Sequence, residues 1–316
     1  MTEMPTFTGK ASVKGLSSDE QMENGLTASA WTRPAESEWV SILRRLMRHR
    51  LAVIGLLVLL LLTLFCIIGP YFTGYEQDKP DVDHRFAAPS REHLMGTDSL
   101  GRDEFTRVLA GGRVSLTVAV LASFISVSLG SMVGIVSAYA GGVADDIIMR
   151  AVDVVRALPL LPILIVVAAV VGRGNIMMIV VLITIFGWTG VARIVRSVVL
   201  SLKQQDFILA ARTVGATRRR IIFRHLLPNS LAPIIVAVTL QAGWAIRTES
   251  ILSYLGLGIQ PPTPSWGNLM MNAQADMWSN PWLAIYPGIL IFITLLAFNF
   301  LGDGLRDALD PRLRGR

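Results

Sequence analysis

Residues 51–69 run for nineteen positions without a charge, enough helix to cross about 30 Å of hydrocarbon. Further apolar runs cover 114–140, roughly 151–172, 176–192, 226–246 continuing to about 255, and 281–302. The pattern predicts six membrane-spanning helices with both termini on one side. Pro159 and Pro162 lie inside the third run and predict a kink or break there. Gly130 and Gly134 form a GxxxG in the second run, which lets two helix backbones approach closely. Ahead of the first run, Trp39, Ile42, Leu43 and Leu46 predict a short amphipathic helix, with Arg44, Arg45, Arg48 and Arg50 pinning its end to the membrane face. Residues 1–38 are polar and read as a disordered cytosolic extension. Their first apolar run comes too late for a signal peptide.

The polar stretches between the runs predict sidedness. Residues 201–228 hold six Lys or Arg (Lys203, Arg212, Arg218, Arg219, Arg220 and Arg224) against one acid, Asp206; short basic loops stay in the cytoplasm. Residues 70–112 carry more acids than bases, and 251–305 hold no Lys or Arg, as outer segments should. The loop after the second run opposes Asp145 and Asp146 to Arg150 and is placed inside by parity. The predicted organisation is therefore an extension (1–38), an amphipathic helix with the first span (39–72), an extracytoplasmic loop (73–112), five further spans (113–302) interrupted by the cytosolic loop 201–228, and a cytosolic tail (303–316).

Composition sharpens this. The chain has 316 residues, is 52% hydrophobic and only 16% charged, with mean hydropathy +0.53, where soluble domains hold about 25% charged residues. The net charge of +6 sits in membrane-flanking segments, so it describes topology rather than nucleic-acid binding. One cysteine, Cys66, excludes an internal disulfide. No phosphate-binding loop of the Gly-x-x-x-x-Gly-Lys-Ser/Thr type occurs, so nucleotide hydrolysis is not expected of this chain. His49, His84, His93 and His225 are scattered, and Asp81-Val82-Asp83-His84 reads as a solvated acidic turn.

The basic loop has an internal pattern. Phe207, Ala210, Ala211 and Val214 share a face at i, i+3, i+4 and i+7. Gly215 stands where a helix should stop, Thr217 can cap a second helix carrying Arg218, Arg219 and Arg220, and Pro228 enters the next run. Two short helices with an alanine ridge set in positive charge suit a groove on another protein; an ordinary positive-inside loop is the alternative. Leu209-Ala210-Ala211, then Gly215, then Leu227-Pro228 resembles the EAA loop of ABC-transporter permease subunits, the loop that in that family docks into the ATPase. Two positions depart: Leu209 stands for the motif's Glu and His225 for its later Ile.

Three further segments resemble the dipeptide/oligopeptide/nickel branch of these permeases. They are Met95-Gly-Thr-Asp-Ser-Leu-Gly-Arg-Asp103, the Gly- and Pro-rich 256–267 ending Ser265-Trp266-Gly267, and 301–312 with Gly302-Asp303-Gly304-Leu305-Arg306-Asp307. Together they cover nearly everything after residue 40. The resemblance implies an all-α integral membrane fold of six transmembrane helices with the type I ABC importer permease core, in a bacterial inner membrane with cytoplasmic termini. It also implies a second permease, two ATPase subunits carrying ATP and Mg, an extracytoplasmic substrate-binding protein, surrounding lipid, no nucleic acid, and no metal or cofactor on this chain. Expected coupling residues are Phe207, Leu209, Ala210, Ala211, Val214, Gly215, Arg218, Arg219 and Arg220. Di- or oligopeptides are the expected cargo, with nickel complexes or glutathione as alternatives. Arg247, Glu249, Gln260 and Trp266 are candidates for the pathway; Arg247 snorkelling to the outer interface is the competing reading. A secondary transporter would need midplane charges or an inverted repeat, and neither is evident.

Overall fold

The structure, a computed structural model, describes residues 38–171 and 175–309. It divides into two compact units, 1–42 and 43–316. Of the first, only the opening of helix α1 (Glu38–Arg48) is described, so the expectation for residues 1–37 falls outside it.

Helices follow in the order α2 (Arg50–Ile68), α3 (Glu104–Ala140), α4 (Gly142–Ala157), α5 (Leu160–Val171), α6 (Ile176–Leu202), α7 (Asp206–Thr213), α8 (218–229), α9 (Leu231–Tyr254), α10 (Trp266–Asn272) and α11 (Trp282–Leu309). Five, namely α2, α3, α6, α9 and α11, are long and apolar enough to cross a membrane, and the bent pair α4 and α5 brings the number to six if the two form one broken span. Among the described residues there is no strand, only an isolated bridge between Thr97 and Asp103.

Helix α3 is the hub, packing on α6, α9 and α2. Lipid tails are as apolar as leucine, so close backbone approach and polar ties must hold such helices together. The GxxxG supplies the approach. A Cβ at Gly130 would stand 2.5 Å from the Trp188 carbonyl oxygen, and one at Gly134 2.5 Å from that of Ala192. Small residues fill the rest of the α3 face, with Ala119, Ala122, Ser123, Ser126 and Ser131 all buried. By contrast α2 leaves Leu57, Leu60, Leu61 and Leu64 more than half exposed, an apolar surface that a bilayer tolerates and water does not.

The break predicted in the third run is present, and other boundaries differ from the sequence reading, each for a physical reason. Helix α3 starts at Glu104, not near 113, because Asp103 caps it by accepting hydrogen bonds from Thr106 N and Oγ1 at 2.8 and 2.7 Å. The third run is two helices bent by 85°, broken at Leu158 and Pro159. Residues 142–150, read as a loop, are helical: Asp145 takes a bidentate pair from Arg196 at 2.7 and 2.6 Å and a bond from Ser137, while Arg193 pairs with Asp153. The Arg196 pair buries Asp145, and both pairs offset charges that hydropathy counts singly. They also explain why α6 continues ten residues past Ala192, to Leu202.

Candidate coupling surface and polar ties of the bundle

Helix α7 lies at the end of the bundle where α3 and α6 finish. Lys203 fixes it there, its Nζ donating to the Ala138 and Tyr139 carbonyls at 2.9 and 3.1 Å. Those are last-turn carbonyls of α3, which lack helical partners and favour a cation. Arg212 sits 5.7 Å from the Tyr139 ring centroid. Asp206 begins α7 and Arg212 ends it, both complementing the helix dipole.

The chain leaves α7 by a Schellman motif. Gly215 adopts φ +76°, Ala216 N donates to Ala211 O and Gly215 N to Arg212 O, both at 3.0 Å. Thr217 then caps α8, accepting from Arg220 N. Residues Ile221–Leu226 within α8 are π-helical, and Leu227 N reaches back to Ile222 O. Pro228 offers no N–H to the Arg224 carbonyl and would crowd it; the wider turn relieves that crowding. Nothing in the apolar spacing signals this π segment.

The face expected to form the ridge is split. Ala211 is buried, together with Ile208, which the periodicity passed over; Ile208 sits in a cluster with Ile135, Ala138, Val195, Ile221 and Leu226. Phe207, Leu209 and Val214 are 41%, 48% and 83% exposed, with Ala210 open between them. The outward surface is thus Phe207, Leu209, Ala210 and Val214, and Ala211 anchors it from behind. Phe207 also meets the His225 ring, centroids 6.4 Å apart, so the departure at 225 gives the ridge an aromatic neighbour. Arg218, Arg219, Arg220 and Arg224 are exposed and form no ion pair among the described residues.

The four pathway candidates separate. Trp266 is fully buried, its Nε1 donating to Val108 O at 3.0 Å. Glu249 is equally buried, accepting from Ser253 Oγ at 2.7 Å and Ser115 Oγ at 3.1 Å. Ser115 Oγ in turn accepts from Trp266 N, and Ser253 Oγ from Ile259 N, both at 3.2 Å. Glu249 and Trp266 therefore belong to one buried knot joining α3, α9 and the loop before α10. Gln260 spends its amide on that loop, donating to Gly256 O and Gly258 O at 3.0 and 3.1 Å. Only Arg247 is exposed and without a partner among the described residues. Two positions apart on α9, Arg247 and Glu249 fall on different faces, the first exposed and the second buried.

The opposite end of the bundle carries a second knot around Met95–Asp103. Asp98 accepts from Leu100 N, Arg102 N and Arg102 Nε at 2.8, 3.0 and 2.7 Å. Arg107 donates to Gln77 O and Asp78 at 2.9 and 3.2 Å, and His93 meets Asp103 at 3.0 Å. Gly96 and Gly101 take φ +78° and +75°, with Gly101 pressed on the Asp81 backbone. No group of side chains among the described residues has the make-up of a metal site.

Residues 130–315 match the family described as binding-protein-dependent transport system inner membrane component, and residues 37–89 match the N-terminal TM domain of oligopeptide transport permease C. The chain is 38% identical to the oligopeptide transport system permease protein OppC of Bacillus subtilis, over 92% of this chain and 95% of that protein. It is 42% identical to the dipeptide transport system permease protein DppC of the same organism, over 92% and 91%. It is also 42% identical to the glutathione transport system permease protein GsiD of Escherichia coli O157:H7, over 88% and 91%.

Proposed function

This chain belongs to the family of binding-protein-dependent transport system inner membrane components, and we propose that it is the permease subunit of an ABC importer that takes up di- or oligopeptides. With a second permease it encloses the pathway. An extracytoplasmic binding protein delivers cargo to the end formed by residues 72–103 and 255–281. Two ATPase subunits, carrying ATP and Mg, dock at the end formed by residues 203–230, which is cytoplasmic along with both termini. Glutathione, a tripeptide, fits the same machinery; nickel complexes remain the other alternative.

One observation supports this assignment most: a rigidly mounted apolar ridge left uncovered beside unpaired arginines. Phe207, Leu209, Ala210 and Val214 present the ridge, while Lys203, Ile208, Ala211 and the Gly215 turn hold it to α3 and α6. Such a surface transmits displacement of a partner into the bundle instead of absorbing it. Arg218, Arg219 and Arg220 border it and steer an acidic groove. Leu209, where the motif has Glu, adds apolar contact. Of the pathway candidates, Arg247 retains that role, whereas Glu249, Gln260 and Trp266 set the shape of the bundle end.

The test is cysteine cross-linking from position 210, introduced in a Cys66→Ser background, with uptake followed in the presence of vanadate. A cross-link to a nucleotide-hydrolysing subunit and vanadate-sensitive uptake are expected. A position 210 that reacts only with impermeant reagents added from outside the cell overturns the assignment.

A further inference from the structure

The elbow between α4 and α5 faces a cavity of about 310 Å³ lined by Arg156, Phe186, Thr189, Gln241 and Trp244, with Gly187 and Gly190 forming its floor. It lies at mid-depth along the long helices and opens on the side of the exposed Arg156 and Leu158. Gly190 is 14 residues from the start of α6 and 12 from its end, about 21 and 18 Å along the helix. Gln241 is ten residues from the start of α9 and thirteen from its end. An interrupted helix at this depth is tolerated where it lines a cavity, because lipid cannot satisfy the freed backbone.

Of the polar groups lining it, Thr189 Oγ1 is spent on Phe186 O at 2.8 Å, while the Arg156 and Gln241 donors are not engaged among the described residues. Arg156 has no partner among the described residues; of the acids on its own helix, Asp153 and Asp145 pair with Arg193 and Arg196. Its guanidinium lies over Gly190, where an added Cβ would stand 3.2 Å from Nη1. Gln241 Nε2 is buried with no hydrogen-bond partner, and so is Ser126 Oγ; both crowd the site where Gly187 lacks a Cβ. A buried donor left unpaired costs about 1–3 kcal/mol, and an arginine at span depth is costly unless it faces water or a ligand. The lining contains no Asp or Glu, so a cation gains nothing there. Trp244 and Phe186 supply apolar walls. Arg247, one turn beyond Trp244 on α9, continues the same stripe toward the end carrying residues 255–281.

We propose that this cavity is a transient subsite for the carboxylate of the transported peptide, held by Arg156 and the Gln241 amide as the cargo passes the α4–α5 elbow. The proposal rests on the peptide-importer reading. It adds that the permease itself, and not only the binding protein, reads a negative group on the cargo. A free carboxylate satisfies both donors at once, whereas a carboxamide or a cationic complex leaves the guanidinium charge unbalanced.

The assembled transporter, with its binding protein and ATPases, is reconstituted in proteoliposomes. It is offered an equimolar set of tripeptides as free acids and as C-terminal amides, and the uptake of each is counted by mass spectrometry. Because the binding protein is unchanged, the acid-to-amide ratio of a variant divided by that of the wild type isolates the permease. Arg156→Gln is expected to lower that ratio roughly tenfold, the scale of one hydrogen bond to a charged group; Arg156→Lys keeps most of it, and Gln241→Leu lowers it less. Should Arg156→Gln not assemble, Gln241→Leu is read against the wild type in the same way. An unchanged ratio in an assembled variant that still transports overturns the subsite and leaves the importer reading intact. A wild-type complex that takes up neither form of any peptide overturns the cargo reading, and the subsite with it.

Discussion

The two ends of the bundle use charge in opposite ways. Around residues 76–107 most buried charged groups are matched inside the chain, Asp98 with Arg102, Arg107 with Asp78, and Asp103 with the His93 ring, Glu104 being the exception. Around residues 203–230 only Lys203 and Arg212 are engaged, and four arginines stand in solvent beside an uncovered apolar ridge. Both stretches look alike as strings of polar residues. What separates them is satisfaction: an end whose ions are internally matched is finished as a structure, while an end that leaves cations and apolar side chains uncovered is completed by something else. The motif residues of the first end therefore act through shape, and those of the second through contact.

That contrast can be broken most severely at Arg107, which is 1% exposed and reaches Gln77, Asp78 and Asp98. Arg107→Leu takes the buried cation from the half-exposed Asp78 and the Gln77 carbonyl, while Asp98 keeps Arg102, a loss of about 1.5–3 kcal/mol for each hydrogen bond to the charged group. The expected outcome is little or no assembled protein, read as the monodisperse fraction after detergent extraction. Ala210→Asp at the other end should do the reverse. The side chain is exposed, so extraction yield and melting temperature stay at wild-type values, while uptake falls at least tenfold because a desolvated carboxylate at a docking surface costs several kcal/mol. Equal loss of assembly in both variants would erase the distinction between the ends.

Much of the architecture was legible because hydrocarbon makes apolar runs visible; α2 and α11 start within a residue of their predicted limits. Errors gathered where charges are paired across helices. Asp145 and Arg196, 51 positions apart, cancel in space but not along the sequence, so a helix read as a loop and α6 as too short. The ridge was visible as a periodic face, yet its orientation was not. Ile208 turns inward because α8 returns over it with Ile221 and Leu226, a contact no local pattern encodes. Glu249 was visible as an intramembrane acid, but its serine partners come from α3 and α9, and Ser115 in turn holds the first residue of α10.

Two smaller effects refine the contrast. Gly215 holds φ +76° with open space around its Cα, so Gly215→Ala meets backbone strain alone, roughly 1–2 kcal/mol. The strain loosens the mount of α7 without touching the ridge. The expected result is a few-fold drop in uptake with a normal melting temperature of the bundle, and a larger uptake defect than Gly74→Ala, which has φ +75° and equally open surroundings at the opposite end.

The smallest effect concerns the one ion pair of the matched end that lies in solvent, His84 with Asp81 at 2.8 Å. The hydrogen bond to Asp81 raises the His84 pKa above its ordinary 6.5, and the bond from His84 lowers that of Asp81 below 3.8. The sign follows from linkage. The raised histidine favours the folded loop at pH below 6.5 and ceases to as pH rises through its folded pKa. The lowered aspartate favours it above 3.8 and ceases to as pH falls through its own. The pair thus acts only in the mildly acidic window between them, and solvent screens it there. NMR titration of His84 should return its pKa toward 6.5 in Asp81→Asn, with melting temperature and uptake unmoved from pH 5 to 8. A measurable loss of uptake in that variant would mean that pairing, and not burial, is what the binding-protein end requires, and the contrast with the arginines of α8 would have to be redrawn on that basis.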